Sequence, residues 1–430
     1  MDCIDIRQIG THLNKEVCLK GWVYNLRSSG QIFFLQLRDG TGTIQAVANK
    51  AEMAEGGFER CSKVTQESSV KLTGKVVSEK RSPSGFELHV NDITIIHRAE
   101  EYPIAKKEHG IEFLLDNRHL WIRSSKQAAI LIIRDQVIWS MRSFFREKGF
   151  ILTDTPILTP TSCEGTTTLF STDYFGQTAY LAQSGQLYLE ALAASLGKVY
   201  DFGPTFRAEK SKTRRHLMEF WMLDAEAAFM EHEESLKLQE ELICRIAGDV
   251  VRNCEKELTI LGRPLEPLKN ITAPFPRLTY DEAVEWLMKN GSDIKSGDDL
   301  GADDETLLSN HHKKPVFITN FPTAIKAFYM KPLPDNPERV LCADLLAPEG
   351  YGEIIGGSQR IDDLALLKKR FVEQKLPVEP FEWYLDLRRY GSFPHSGFGV
   401  GLERVVTWMC KLDHVREAIP FPRLLNRLKP

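Results

Sequence analysis

The sequence has few of the features that mark membrane, secreted or metal-cluster proteins. No apolar run in its 430 residues approaches the ~18 residues that a helix needs to span a bilayer. The N-terminal stretch MDCIDIRQIGTHLNKEV lacks the apolar core of a secretion signal. The eight cysteines are scattered without a C-x-x-C pair, which indicates neither a zinc site nor a disulfide framework. We therefore expect a cytoplasmic protein in a reducing environment, with no membrane partner.

The common nucleotide-binding loops are also missing. Neither G-x-G-x-x-G nor G-x-x-x-x-G-K-[ST] occurs, so neither a Rossmann fold nor a P-loop is expected, and any nucleotide must be held in another way. The formal net charge of −4 argues against indiscriminate coating of nucleic acid. A local basic groove is still compatible with that charge, because focused fields depend on where the charges lie.

The first hundred residues predict a small β-barrel. Turn signals such as DGTG separate β-rich runs, and a short helical piece falls between the third and fourth of five expected strands. This arrangement is typical of OB-type barrels, which often bind single-stranded nucleic acid. An all-β packing module fits the strand count alone about as well. We assign residues 1–98 to the barrel.

The rest of the chain predicts a second, larger domain. Residues 99–117 have the character of a linker, and from Arg118 to Gly149 apolar residues recur at helical spacing. Strands and helices then alternate without a regular βαβ rhythm, which favours an α+β fold over residues 118–430. Residues of about 232–312 are mainly helical and acidic in pattern and are interpreted as a helical insertion.

One loop concentrates positive charge in this acidic chain. The segment KSKTRR joins two runs that alternation predicts as strands, KVYDFGPTFRAE and HLMEFWMLDAEAAF. Arg207 and Glu209 share a face of the first strand, and the second strand carries on one face Phe220, Met222, Asp224 and Glu226. Together they suit a pocket with a guanidinium for a phosphate, a ring for a base and a carboxylate for a polar group. The alternative for each residue alone is structural: Arg207 paired with Glu209 or Glu226, and Phe220 in the core.

Three segments resemble the signature motifs of the class II aminoacyl-tRNA synthetases. FRAE…RHLMEF resembles motif 2, GFILTDTPILTP with Pro156 resembles motif 1, and GFGVGLERVV resembles motif 3, in the family's order. With the N-terminal barrel, the likeness covers nearly the whole chain and indicates the subgroup that charges aspartate, asparagine and lysine. It implies an N-terminal OB-type anticodon-binding barrel and a catalytic domain in which an antiparallel sheet is flanked by helices. It also implies a homodimer built partly through motif 1.

The resemblance assigns the contacts to ATP residue by residue. Arg207 would hold the α-phosphate and stabilise the charge that develops as the amino-acid carboxylate attacks it. Phe220 and Arg404 would lie on the two faces of the adenine. Glu209 would accept from the adenine amino group or orient the loop.

The outer phosphates of ATP would be held by Arg215 and His216, together with Mg²⁺. Asp344 and Glu353 lie on either side of the turn APEGYG, and two carboxylates that converge across a hairpin suit this hard cation. The alternative is a solvated acidic turn, and the nine-residue spacing is longer than in similar aspartate enzymes. The expected catalytic residues, which would act by positioning and charge neutralisation without a covalent enzyme intermediate, are Arg207, Glu353 and Arg404.

The resemblance also places the amino-acid pocket. Arg360 would read the substrate side chain, and Glu164, Ser184 and Gln186 would hold the α-ammonium group. Similar aspartate-specific enzymes carry a lysine at the end of the stretch S-P-Q-L-[FY]-K, whereas this chain has the uncharged Leu189 there. An aspartate carboxylate would therefore meet only one cation in this pocket.

Charge counting favours asparagine as the substrate. Arg360 could donate to the side-chain carbonyl oxygen while Asp224 accepts from the amide group. An aspartate would bring its carboxylate beside Asp224, which costs on the order of several kcal/mol in a dry site. Asparagine enzymes usually carry glutamate at this position, which keeps aspartate as the alternative substrate.

The partners expected from this charge balance are L-asparagine, ATP and tRNA(Asn). A non-translational paralogue that forms an adenylate would share the same motifs, although the intact barrel argues against it. A nucleic-acid-binding protein with an inactive catalytic domain would not need the motif residues, and Arg207, Glu353 and Arg404 are all in place.

The barrel segment RSSGQIFFLQLRDGTGTIQAV resembles the anticodon-reading face of the aspartate and asparagine enzymes. By that likeness Phe34 would stack on the middle anticodon base, Arg27 would contact neighbouring groups and Gln45 would read a base edge. The alternative for Phe34 is core packing, because Phe33 and Phe34 point to opposite faces of a strand and only one of the two can be exposed.

Overall fold

The computed structural model describes residues 2–82, 84–105, 107–163, 169–211 and 213–430. The chain divides into two compact units, residues 1–110 and 111–430. The division falls inside the segment 99–117 that the sequence predicts as a linker. No helix of the described residues is long and apolar enough to cross a membrane.

The first unit is a closed five-stranded barrel with the strand order β1-β2-β3-β5-β4. The pairing of β3 with β5 is parallel and the other pairings are antiparallel. Helix α1 (Gly57–Ser62) lies between the third and fourth strands, so the OB-type prediction is confirmed. A 3-10 helix precedes the barrel at Ile6–His12. The strands are β1 (Glu16–Ser29), β2 (Ile32–Arg38), β3 (Thr43–Asn49), β4 (Ser69–Ser78) and β5 (Phe86–His97).

A disulfide in the first unit contradicts the expectation from cysteine spacing. Cys3 lies beside Cys18 in an isolated parallel bridge, with a Cα–Cα distance of 4.3 Å, and the two residues form a disulfide. The sequence carries no signal for this pairing, because the N-terminal segment lies beside β1 only in the folded barrel, where the two run parallel at this point.

The second unit is built on a nine-stranded mixed sheet, with β13-β14-β15-β16-β17-β12-β10-β6 in order and β11 paired to β12. Most pairings are antiparallel; β6 with β10 and β13 with β14 are parallel. A separate three-stranded sheet has the order β7-β9-β8. The strands are β6 (Ile151–Leu152), β7 (Leu158–Thr159), β8 (Ser171–Tyr174), β9 (Gln177–Leu181), β10 (Lys198–Tyr200), β11 (Gly203–Phe206), β12 (Glu219–Ala228), β13 (Arg277–Thr279), β14 (Val316–Thr319), β15 (Cys342–Ala347), β16 (Gly352–Gln359) and β17 (His395–Gly401).

Helices pack around this sheet, in agreement with the α+β prediction. They are α2 (Ile111–Asp116), α3 (Arg118–Trp121), α4 (Ser125–Glu147), α5 (Gln186–Leu196), α6 (His232–Asn253), α7 (Glu255–Leu261), α8 (Leu265–Lys269), α9 (Tyr280–Lys289), α10 (Ala302–His311), α11 (Leu364–Glu373), α12 (Glu382–Arg389) and α13 (Leu402–Cys410). Short 3-10 turns lie at Glu379–Phe381 and Val415–Glu417. Helix α2 lies inside the predicted linker and is tied to the second unit, because its Glu112 and Asp116 pair with Arg427.

The long helix predicted from Arg118 is divided in two. Helix α4 begins after Ser124, whose hydroxyl accepts from the Gln127 N–H and caps the helix. Its apolar positions, including Val137 and Phe145, are buried in the main core as their spacing predicts. The helix ends before Gly149, which adopts a positive φ of 80°.

The segment 232–312 is largely helical as expected, but it is built into the domain. Helix α6 places Leu242 and Ile246 in the main core, and β13 forms one edge of the large sheet. The sequence pattern could not indicate this, because the three-residue strand β13 is too short to produce a recognisable alternation.

Side chains alternate between the two faces of the central strands. On β12, Leu223 packs into the main core, which also contains residues of α4, α6 and α13. Met222 and Asp224 point to the opposite face and line a cavity. On β17, Val400 lies in the core and Gly399 lines the same cavity. A Cβ added at Gly399 would lie 2.6 Å from Asp224 Oδ1, so only a glycine at this position avoids a clash with the carboxylate.

Candidate active site

The cavity on the open face of the sheet has a volume of about 780 Å³. It brings together residues that are far apart in the sequence and that the motif resemblance assigns to ATP, amino acid or metal. Glu164, expected to hold the α-ammonium group, lies outside the described residues. The other expected residues all line the cavity: Ser184, Gln186, Arg207, Glu209, Arg215, His216, Phe220, Asp224, Asp344, Glu353, Arg360 and Arg404.

The strand predicted to carry Arg207 is shorter than expected. The segment divides into β10 and β11, and β11 ends at Phe206, so Arg207 and Glu209 lie in the loop beyond it. The Arg207 N–H still donates to the Met218 carbonyl, which continues the hairpin by one step. The Arg207 guanidinium lies 5.9 Å from the centre of the Phe220 ring. The cation and the ring that would hold a phosphate and a base are therefore neighbours.

Arg404 and Glu353 form an ion pair in the cavity. Arg404 Nη1 donates to Glu353 Oε2 at 2.8 Å and to the Glu353 carbonyl oxygen at 2.9 Å. Burial alone would raise the pKa of Glu353, but the Arg404 guanidinium, followed by Lys326 and Arg207, outweighs burial and holds this pKa below its ordinary value. Glu353 is therefore ionised at neutral pH, as a metal ligand must be.

Arg215, expected at the outer phosphates, is held by protein groups. Its guanidinium donates to Glu305 Oε2 at 2.8 Å, to Thr306 Oγ1 at 2.6 Å and to the Gly350 carbonyl at 2.7 Å. Glu305 Oε2 also accepts from the Glu353 N–H at 3.0 Å. Sequence reasoning missed Glu305, which lies on α10 in the presumed insertion. Helix α10 therefore anchors the basic loop.

His216 lies beside Glu209 at the edge of the same loop, with 3.7 Å between His216 Nε2 and Glu209 Oε2. Burial lowers the pKa of His216, and the positive charge of Arg404 is the second cause. The imidazole is therefore neutral at physiological pH and contributes a hydrogen-bonding group.

Asp344 and Glu353 converge on one point of the cavity wall. Asp344 lies opposite Gly356 in the β15–β16 pairing, and a Cβ at Gly356 would lie 3.7 Å from Asp344 Oδ1 and 2.9 Å from Glu353 Oε1. Burial raises the pKa of Asp344 to about 7, with Glu353 adding to the rise and Lys326 opposing it. Within the described part of the chain, no group of three or more His, Cys, Asp or Glu is placed to hold a metal ion. Two carboxylates are enough for a cation that is shared with substrate oxygens.

The part of the cavity that the motif resemblance assigns to the amino acid has two carboxylates of β12, one in its wall and one buried beside it. Asp224 Oδ2 accepts from the Ser184 hydroxyl at 2.7 Å and from the Gly185 N–H at 3.1 Å. Glu226, two residues along the same face, is paired with Arg360, with 3.0 Å between Arg360 Nη2 and Glu226 Oε2. The alternative in which Glu226 pairs with Arg207 is therefore wrong. Alternation along β12 predicts this neighbourhood, because it places Asp224 and Glu226 on one face of the strand.

A buried network behind the pocket was not predicted. Glu190 on α5 accepts hydrogen bonds from Tyr384 at 2.8 and 2.9 Å, from Arg388 at 2.6 Å and from Gln186 at 3.2 Å. His395 Nε2 lies 3.0 Å from the same carboxylate. Burial would raise the pKa of Glu190, but the charges of Arg388 and His395 outweigh it and lower this pKa. The ionised Glu190 holds Gln186 at the cavity wall.

Leu189 lies in a small apolar cluster with Ala193 and Val199 and is fully buried. It is not among the described residues that line the cavity. Its predicted influence on the choice of amino acid therefore rests on the absence of a charge and not on a contact.

The outer face of the barrel carries the three residues expected to read an anticodon. The Arg27 guanidinium lies 4.6 Å from the centre of the Phe34 ring, across the β1–β2 pairing. Phe33 packs against the barrel core and lies 4.9 Å from the Phe58 ring, so Phe33 is the inward residue of the pair. Gln45 on β3 donates to Glu87 at 2.7 Å.

Comparisons with known proteins agree with this geometry. Residues 110–425 match the family described as tRNA synthetases class II (D, K and N), and residues 17–96 match the OB-fold nucleic acid binding domain. The chain is 58% identical over 430 residues to the asparagine–tRNA ligase of Pelotomaculum thermopropionicum, with 100% of both chains covered.

Two solved structures are similar over the whole chain. Asparaginyl-tRNA synthetase from Pyrococcus horikoshii, complexed with asparaginyl-adenylate, superposes with a TM-score of 0.97 at 45% identity, covering 100% of both chains. The Entamoeba histolytica asparaginyl-tRNA synthetase in complex with asparaginyl-adenylate superposes with a TM-score of 0.90 at 32% identity, again covering 100% of both chains. The family match alone spans well over half of the chain, and the motif residues meet in one cavity. The chain therefore belongs to the class II tRNA synthetases of the aspartate, lysine and asparagine group.

Proposed function

We propose that this protein is an asparagine–tRNA ligase. It activates L-asparagine with ATP to form asparaginyl-adenylate and pyrophosphate, and it then transfers the asparaginyl group to the 3′ end of tRNA(Asn). The full-length relatives support this activity. The observation that carries the choice of amino acid is the charge balance in the part of the cavity proposed to hold the substrate's side chain.

In that balance Arg360 is already neutralised by Glu226, while Asp224 adds a further negative charge. A neutral side-chain amide can bond to both groups, because its oxygen accepts from Arg360 and its NH₂ donates to Asp224. A substrate carboxylate would meet the like charge of Asp224, and the cation beside it, Arg360, is already paired with Glu226. The discrimination comes from binding alone, without a proofreading site.

The chemistry of activation is positioning and charge stabilisation. Arg207 holds the α-phosphate and stabilises the charge that builds up as the asparagine carboxylate attacks the phosphorus atom. Phe220 stacks on the adenine, Arg404 covers the other face, and Glu209 accepts from the adenine amino group. Gln186 and Ser184 hold the α-ammonium end, which brings the reacting groups together.

Asp344 and Glu353 fit the Mg²⁺ that accompanies ATP in this proposal. Their carboxylates converge above Gly356, and oxygen donors are what this cation prefers. When bound, Mg²⁺ supplies neutralisation of the phosphate charge. Arg215 and His216 line the same cavity, and in this proposal they contact the outer phosphates once ATP is bound.

The tRNA partner is read at the barrel, where Arg27, Phe34 and Gln45 lie close together on β1, β2 and β3. A half-buried ring on the outer face of the barrel, flanked by a guanidinium, suits stacking on an unpaired base. We place the reaction in the cytoplasm, where ATP and tRNA are available.

The motif 1 region supports a homodimer. Trp139 on α4 is 61% exposed, Ile151 on the sheet-edge strand β6 is 46% exposed, and Ile157 is 44% exposed. Ile151 and Ile157 lie in motif 1 and Trp139 on the helix that precedes it, and large exposed apolar side chains are typical of an interface. A second copy of the chain covers them in the proposed assembly.

Amino-acid-dependent ATP–pyrophosphate exchange, followed by charging of tRNA(Asn), tests the proposed function. We expect exchange with asparagine and charging of tRNA(Asn). Strong exchange with aspartate and none with asparagine would identify an aspartate enzyme. Exchange without charging of any tRNA would identify an adenylate-forming enzyme outside translation.

A further inference from the structure

The segment between β14 and β15 carries a lysine into the cavity wall. The side chain of Lys326 is 14% exposed, and its Nζ lies 2.9 Å from Asp344 Oδ2 and 3.8 Å from Asp299 Oδ1. The ammonium lies 3.9 Å from the centre of the Phe321 ring. The Lys326 carbonyl accepts from Gln374 at 2.9 Å and from Arg370 at 3.3 Å, so its backbone is fixed. The position of the ammonium is therefore built into the fold.

Lys326 shares its surroundings with the residues proposed to bind ATP. Three cations come from three different elements: Arg404 on α13, which donates to Glu353, Arg207 after β11, and Lys326. All three cations, together with Asp344, line the same cavity. The Lys326–Asp344 pair therefore lies in the wall of the cavity that is proposed to hold ATP, and both side chains keep some exposure to it, at 14% and 18%.

The Lys326–Asp344 pair also reduces the electrostatic repulsion between two neighbouring carboxylates. Asp344 and Glu353 are both partly buried and converge on one point, and two such carboxylates repel each other unless cations lie beside them. A lysine ammonium is a compact charge with three donors on a flexible stem, so it can exchange one oxygen partner for another nearby. A phosphate oxygen is such a partner.

We propose that Lys326 is the resident counter-ion of Asp344 in the unliganded protein and a phosphate-binding residue once Mg²⁺ and ATP occupy the cavity. This inference rests on the proposed function. In the first state the ammonium neutralises the carboxylate. In the second state Asp344 turns to the metal, and the ammonium donates to an oxygen of the phosphate chain or of the departing pyrophosphate.

Replacing Lys326 by methionine separates the two roles. Isothermal titration should show weaker binding of inorganic pyrophosphate at fixed Mg²⁺ by K326M, on the order of ten- to a hundredfold, which is the usual range for a lost charge-assisted hydrogen bond. Mg²⁺ titrated alone should bind severalfold more tightly to K326M, because the ammonium no longer competes for Asp344. The opposite directions of these two shifts distinguish the proposal from a loss of packing.

The chain offers a matched control in the same segment. Lys331 Nζ lies 2.8 Å from Asp362 Oδ1, and Lys331 is not among the described residues that line the cavity. Lys331→Met therefore removes a similar ion pair and should leave both affinities unchanged. If K326M folds poorly, Lys326→Arg keeps the charge, and it should retain pyrophosphate binding within about tenfold of the unaltered protein.

Unchanged pyrophosphate affinity in K326M would overturn the proposal, and so would Mg²⁺ binding that weakens together with pyrophosphate binding. A loss of pyrophosphate binding in Lys331→Met as large as in K326M would show that any lysine of the segment has this effect, which also contradicts the proposal. Asparagine-dependent exchange by the unaltered protein tests the proposed function separately, so the two can fail independently.

Discussion

Replacing Asp224 by asparagine removes the charge on which the choice of amino acid depends in this pocket. The Ser184 hydroxyl and the Gly185 N–H both donate to Asp224 Oδ2, so the carboxylate is held at the cavity wall and cannot swing away from a second negative charge. Two unit charges roughly 4 Å apart at an effective dielectric constant of about 20 repel by about 4 kcal/mol. That energy corresponds to about a thousandfold in a ratio of rate constants.

We therefore expect Asp224→Asn to lower the preference for asparagine over aspartate by roughly a hundred- to a thousandfold. Most of the change should be a gain in kcat/KM for aspartate, because the new amide can donate to its carboxylate. The assay is pyrophosphate exchange with each amino acid, measured on the same preparation.

Asp201 provides a matched control for this experiment. It is buried beside Asp224, and burial, followed by the charge of Asp224, raises the pKa of Asp201 to about 8. Asp201 is therefore largely protonated at neutral pH, and Asp201→Asn replaces a neutral acid by a neutral amide. We expect little change in the amino-acid preference. A change of less than about tenfold in Asp224→Asn, or an equal change in both variants, would refute the charge argument.

Three further predictions concern the barrel, the dimer and the pH dependence. Phe34→Ala should raise the KM for tRNA and leave asparagine activation unchanged, because the ring faces outward; steady-state charging and exchange measure the two effects. Trp139→Glu should convert the proposed dimer into monomers, as seen by light scattering. Asp201→Asn should raise the Tm relative to the unaltered protein at roughly pH 8–9 by a few degrees, with a smaller effect near pH 5. The raised pKa of Asp201 sets the direction of this last effect. The Asp201 carboxyl loses its proton near pH 4 in the unfolded chain but only near pH 8 in the folded protein. The free energy of unfolding therefore falls as pH rises through this window. The asparagine side chain of Asp201→Asn does not titrate, so the variant avoids this loss of stability. An equal Tm difference at both pH values would contradict this reasoning. An effect of Phe34→Ala on activation alone, or a Trp139→Glu protein that keeps the mass of a dimer, would contradict the other two.

The sequence predicted those parts of the structure that depend on local pattern. Alternation identified the five barrel strands and the faces of β12, and helical spacing identified the buried side of α4. The family resemblance assigned Arg207, Glu353 and Arg404 to one site, and all three line one cavity in the structure.

The missed features share a physical cause. Glu305 lies 90 residues from its partner Arg215, and Lys326 lies 18 residues from Asp344. Glu190 is 198 residues from Arg388. Each pair meets because two elements pack together, and neither residue carries a local signal of its partner.

The glycines of β17 restrict how the pocket can change in evolution or by design. A Cβ at Gly397 would lie 1.9 Å from Glu226 Oε2, and a Cβ at Gly399 would meet Asp224. The backbone of these two glycines therefore forms the floor of the pocket. Enlarging a side chain there would displace the two carboxylates together and destroy the recognition that they provide. A new amino-acid preference must therefore arise through the side chains of β12 and their partners, which makes these carboxylates the first positions to vary in a library.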